Sequence, residues 1–96
     1  MKCGEKMTRV TKKVVWCLID SLNQKYGLDD TTPCKFYLSE AYGGCQIVLK
    51  KKGSGAITDV TYGYLSPRET IDDFYRRKGI YGDDFLKEKI RQFVRY

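Results

Sequence analysis

The sequence predicts an α+β domain: a three-stranded antiparallel sheet with its helices packed on one face, in the order α-β-β-β-α-α. Three observations support this. Residues 10–27, VTKKVVWCLIDSLNQKYG, place apolar side chains at helical spacing. Residues 35–62 hold three short alternating segments joined by glycine-bearing turns. The tetrapeptide SPRE at 66–69 then opens a second helical region.

In chain order, the first helix is expected from about residue 9 to 26, with Thr8 or Thr11 as N-cap and Gly27 as its left-handed stop. LDDTTP follows as a loop, because Pro33 bars further helix. CKFYLSE has the aromatic, alternating character of a strand over residues 35–39. AYGG at 41–44 turns the chain, since two consecutive glycines tolerate the positive φ of a tight hairpin. CQIVLKK is the second strand, KGSG a flexible turn and AITDVTY the third, and such short connections favour an antiparallel meander. In SPRE, Ser66 caps the helix, Pro67 fits its first position and Glu69 completes a capping box. Ile71, Phe74 and Tyr75 mark that helix's apolar face, and Gly79 is expected to close it. Asp83 or Asp84 starts the last helix, with Leu86, Ile90, Phe93 and Val94 inward.

Ninety-six residues make one domain, because two halves would each be too small to bury a core. Residues 1–8 are expected to form a flexible N-terminal segment. The 42% hydrophobic content is ample for a packed globule. The longest apolar run, residues 14–19, is far shorter than the roughly 20 residues that span a bilayer. It also lies inside a helical pattern rather than in a signal peptide. A soluble protein of the cytoplasm, with no membrane partner, is therefore expected. Cys3, Cys17, Cys34 and Cys45 then read as free thiols in a reducing compartment, with Cys17 and Cys45 as small core residues. No two are spaced C-x-x-C, so neither a metal nor a cofactor is expected. The chain has no histidine, which removes imidazole chemistry and the Ser–His and Cys–His pairs, and it reads as a non-enzyme.

Charge is where the sequence departs from pattern. The net charge is +6, which favours nucleic acid, nucleoprotein or an acidic protein surface as partner. The two later helices place acids first and bases last, as the helix dipole rewards, so Arg76, Arg77 and Lys78 read first as helix-end charges. The first helix does the reverse: Lys2, Lys6, Arg9, Lys12 and Lys13 crowd its positive end. Residues 1–27 carry six basic and two acidic side chains, +4 of the total, whereas residues 28–65 balance at four against four.

Trp16 falls in the middle of that helix's charged arc, with Lys12 one turn before it and Arg9 and Lys13 flanking it. An aromatic among cations suits stacking or phosphate tracking, and Trp with Arg is a favoured interface pair. Burial of Trp16 under the N-terminal segment, a loop or a second copy is the competing reading. Lys50, Lys51 and Lys52 form a second candidate, projecting from a mobile hairpin tip, where lysines also serve solubility and edge protection. Tyr42, Tyr62 and Tyr64 stand in turns as half-buried rings, although YGY could stack bases.

At YLSEAYGGCQIVLKKKG and YGYLSPRETIDDFYR the chain resembles small uncharacterised proteins encoded by phages and prophages, which carry a Tyr-rich AYGG hairpin followed by a strand and a capped helix. The resemblance covers roughly residues 10–78 and brings no catalytic residues with it. Cys45 stands where the look-alikes commonly have an aromatic, which removes one ring from the hairpin. The resemblance implies a mobile-element protein that binds host machinery, defence nucleoproteins included, or nucleic acid, in the cytoplasm of a bacterial host.

The leading expectation is thus a small basic binding protein of phage type. It would occupy a site on an acidic host protein, enzyme or nucleoprotein, such as a CRISPR effector, through Arg9, Lys12, Lys13 and Trp16. Direct binding of RNA or DNA is the alternative. A small enzyme or nucleotide binder using Asp72, Asp73, Asp83 and Asp84 ranks last, since those acids are better explained as helix starts. Both a monomer and a homodimer are compatible with the sequence, and a dimer would bury Trp16.

Overall fold

The computed structural model describes residues 11–53, 55–82 and 84–94; Cys3, Thr8, Arg9 and the segment 1–8 lie outside them. The chain folds as α1 (Lys12–Tyr26), β1 (Cys34–Ala41), β2 (Gly44–Lys51), β3 (Ile57–Asp59), α2 (Pro67–Tyr81) and α3 (Asp84–Val94), the expected α+β order. The three strands form one antiparallel sheet in the order β1-β2-β3. Strand alternation places Cys34, Phe36 and Leu38 of β1 and Cys45, Ile47 and Leu49 of β2 on one face. These pack with Val15, Ile19 and Leu22 of α1, Phe74 of α2 and Leu86 of α3 into a single core. Each fully buried Val, Ile, Leu or Phe among them contributes about 1.5–3 kcal/mol. Lys35, Tyr37, Ser39, Gln46, Val48 and Lys50 alternate onto the opposite face.

The hairpin register runs from Cys34 opposite Lys51 to Ala41 opposite Gly44. Only Tyr42 and Gly43 remain for the turn, and they hold φ of 53° and 74°. The positive φ therefore falls on Tyr42 and Gly43, not on the two glycines, and Gly44 is already strand. β3 is much shorter than AITDVTY. After Asp59 the amides of Val60 and Thr61 both bond the Ile47 carbonyl, at 2.9 and 3.2 Å, while the Thr61 hydroxyl accepts from the Ile47 amide at 3.0 Å. The regular ladder is interrupted there and resumes as a single bridge between Cys45 and Leu65.

Helix ends follow local chemistry. Ser66 and Glu69 form the expected capping box, with reciprocal bonds of 3.3 and 3.2 Å. α2 runs through Gly79 and stops at Gly82, whose amide bonds the Lys78 carbonyl at 2.8 Å, so Gly79 is a helical glycine rather than a terminator. Tyr75 is not core either: it is exposed, with its ring edge-on to Phe74 at 5.3 Å. α1 begins after Thr11, whose side chain makes no cap bond, and its first turn holds no acid.

One further expectation is corrected. Cys17 is disulfide-bonded, whereas Cys34 and Cys45 are free and buried, so the four-thiol reading fails at Cys17. Sequence spacing does not report which sulfurs a fold brings within bonding reach, and the compartment argument loses that residue as support. Asn23 falls in the polar arc of α1 by sequence, yet it is buried. Its amide donates to the Phe36 carbonyl at 3.2 Å, and its carbonyl accepts from the Phe36 amide at 2.8 Å. One side chain thus satisfies both outward backbone groups at the free edge of β1. Asn23→Ala is expected to cost about 1–2 kcal/mol in urea unfolding, because it orphans a buried donor and acceptor together. An unchanged midpoint would show that water replaces the amide.

Candidate functional site

The sequence-predicted basic residues lie at two ends of the hairpin. At the first end, the Lys12 ammonium pairs with the Glu40 carboxylate, linking the start of α1 to the end of β1. The hydrogen bond to Glu40, then its charge, holds the Lys12 pKa above the usual lysine value. Both partners are about half exposed, so the pair orients the helix more than it stabilises it. Lys13 is exposed beside it.

Trp16 is 39% exposed, so it is not a core residue. By helical periodicity Lys12, Trp16 and Asn23 fall within about 40° of one another around α1. Lys12 and Asn23 both reach β1, which places Trp16 along its free edge between Phe36 and Glu40. The tryptophan is therefore out of the apolar arc because that flank of the helix meets a strand edge. The Tyr42 ring, two residues beyond Glu40, is 95% exposed. It packs edge-on against Tyr64 at 5.7 Å, and the Tyr64 hydroxyl meets the Ser39 hydroxyl at 3.1 Å.

At the second end, Lys50, Lys51 and Lys52 do not project from a free tip. The Lys51 amide bonds the Ala56 carbonyl and the Lys52 amide bonds the Pro33 carbonyl, each at 2.8 Å. The Lys52 ammonium reaches the Asp30 carbonyl. These lysines, with Lys35 and Tyr37, line a groove of about 490 Å³. The Lys35 and Lys50 ammoniums each stand 5.5 Å from the centroid of the Tyr37 ring. Asp29 and Asp30 form the acidic rim: Lys35 pairs with Asp30 at 3.0 Å, and the Thr31 hydroxyl and amide hold the Asp29 carboxyl below its ordinary pKa. Cys34 lines the same groove, and burial pushes its thiol pKa up, away from the reactive thiolate. Cys34 and Glu40 are six residue steps apart along β1, about 20 Å of rise, so the two basic ends form separate surfaces.

Tyr37, Lys35 and the exposed ring of Tyr42 were not singled out by the sequence as site residues. A two-residue turn at Tyr42–Gly43 would have revealed the first two, since counting outward from it sets Lys35 opposite Lys50.

The remaining candidates resolve differently. Arg76 and Arg77 both pair with Asp73, at 2.5 and 2.8 Å, and Arg77 stacks over the Tyr62 ring at 4.0 Å. Asp73 is thus a buried ion-pair centre rather than a helix start. Asp72 is exposed on α2, Asp84 opens α3, and Asp83 lies outside the described residues. Among the described residues no group of three or more Cys, Asp or Glu side chains is placed to hold a metal ion. No helix among them is long and apolar enough to cross a membrane. No family model, curated protein or solved structure matches this chain.

Proposed function

We propose that this chain is a non-enzymatic binding protein that docks its Trp16 and Tyr42 end onto an acidic protein or nucleoprotein surface. The observation that carries this reading is Tyr42. A bulky residue at φ 53° sits where turns of this kind favour Asn or Gly, at a cost of about 1 kcal/mol. Its ring is 95% exposed and gains little from the folded monomer, so its value lies outside the chain. Trp16, Tyr64, Lys12 and Lys13 stand at the same end, and aromatic anchors among cations are what hot spots use. The +4 balance of residues 1–27 supports an acidic partner. The phage-type setting, with a host enzyme or defence nucleoprotein as that partner, follows from the AYGG hairpin resemblance.

The test is photocross-linking in cells from a reactive residue at position 43, next to the ring. A partner captured by the parent should be lost with Tyr42→Asn and with Trp16→Ala, and kept with the remote Lys87→Gln. Because Asn suits the left-handed turn, Tyr42→Asn is expected to raise stability by about 0.5–1 kcal/mol in urea, so lost capture would not reflect unfolding. A partner that survives both aromatic substitutions would place the interface elsewhere.

A further inference from the structure

We infer that the groove of Lys35, Tyr37 and Lys50, on the sheet face opposite the core helices, binds a single strand of nucleic acid, with the two lysines on phosphates and Tyr37 against a base. The strand register sets Lys35 directly opposite Lys50. Like charges facing each other across an antiparallel pair destabilise a sheet. Lys35 is offset by Asp30, but among the described residues Lys50 meets no carboxylate; its neighbour is the Tyr37 ring. An anion between the two ammoniums would relieve this repulsion.

Three features make a nucleotide chain the fitting anion. The two ammoniums share one aromatic ring, so phosphate contact and base stacking occupy adjacent places, the combination used by single-strand binders. The core helices pack on the other face; on this one Gln46 and Val48 are covered and Tyr37 is half-buried, so the part of its ring left exposed meets an unstacked base, whereas a duplex offers its bases no such access. Lys51 and Lys52 extend the basic lining at one end, and the Ser39–Tyr64 hydroxyl pair lies on the same face beyond Tyr37. Asp29 and Asp30 close the groove to phosphates on the loop side, which directs the strand from Lys50 toward Tyr64. Its phosphate and base contacts at Lys35, Tyr37 and Lys50 lie apart from Trp16 and Tyr42, and the strand reaches that end only at Tyr64, which packs against Tyr42.

The experiment is fluorescence anisotropy with a labelled oligo(dT) of about ten nucleotides, at about 50 and 200 mM salt. The parent protein should bind, and more weakly at the higher salt. Lys50→Gln should weaken binding about fivefold or more and reduce the logarithmic salt slope by about 0.7, one phosphate contact on a single strand. Tyr37→Leu should weaken binding at least as much while leaving the slope unchanged, because stacking releases no counterion. Lys50→Gln should not lower the thermal midpoint, since it removes the facing charge, so its effect would be one of contact. Three outcomes would overturn the inference: no binding at the lower salt, equal affinity for a duplex with no response to Tyr37→Leu, or loss of binding on Lys12→Gln with Lys13→Gln while Lys50→Gln binds normally.

Discussion

Gly44→Ala is expected to destabilise the fold by about 3 kcal/mol or more, lowering the thermal midpoint by about 12 °C or more for a domain of this size. A Cβ on Gly44 would lie 2.6 Å from the Tyr64 carbonyl carbon, 2.7 Å from its oxygen and 2.9 Å from the Leu65 nitrogen. All three are backbone atoms, so no side chain can rotate away. Relief requires the 64–65 segment to withdraw from β2. That segment is held there by reciprocal bonds between Cys45 and Leu65 of 2.8 and 3.0 Å, which withdrawal would break. The neighbouring glycine supplies the control. Gly43 has φ of 74°, and a Cβ there would meet nothing within 4 Å, so Gly43→Ala carries only backbone strain, about 1 kcal/mol. Urea midpoints of the two variants separate the causes: Gly44→Ala should fall well below Gly43→Ala. Equal losses would mean that the turn, not the close approach of two chain segments, sets the requirement.

That pair also shows where sequence reasoning ended. The motif AYGG identified the hairpin, because such turns have few workable residues, and the SPRE box identified the start of α2, because capping is local. Both are decided within four residues. Which glycine carries positive φ and which carries a packing constraint depends on Tyr64, twenty residues away, and no local pattern contains it. Asn23 and Asp73 were missed for a related reason. A helical wheel assigns polar residues to solvent, and it has no means of knowing that one amide will meet a strand edge or that one carboxylate will meet two arginines. Trp16 was legible as an exception but not as an explanation, since the flank it occupies is defined by β1. The lysine run was legible as charge, while its tether to Pro33 and Asp30 was not. Lys35 and Tyr37 emerge only once the turn is fixed at Tyr42–Gly43 and the register follows.

Asp73→Asn is expected to cost about 2–3 kcal/mol near neutral pH, and its effect should fade in acid. Asp73 is 5% exposed and accepts from the Arg76 and Arg77 guanidiniums, with the Tyr62 amide at 3.4 Å. Burial alone would raise its pKa, but the hydrogen bonds from Arg77 and Arg76, the Arg77 charge and the Tyr62 amide outweigh it and hold the carboxyl below its usual range. Asparagine keeps the shape and loses the charge, leaving Arg77, itself largely buried, without its counter-ion. Removing one partner of a buried pair costs about 3–5 kcal/mol, and the solvent around Arg76 reduces that here. The pH dependence has a definite sign. A carboxyl whose folded pKa is depressed contributes its full stability above the unfolded value, about 3.9, and loses it as pH falls through the lower folded value. Urea midpoints should therefore differ most between the parent and Asp73→Asn above about pH 5 and converge toward pH 2, with the parent showing the steeper acid loss. A gap that stays constant across that range would show that ionisation of Asp73 is not what separates the two proteins, and no gap at all would show that shape and neutral hydrogen bonds suffice.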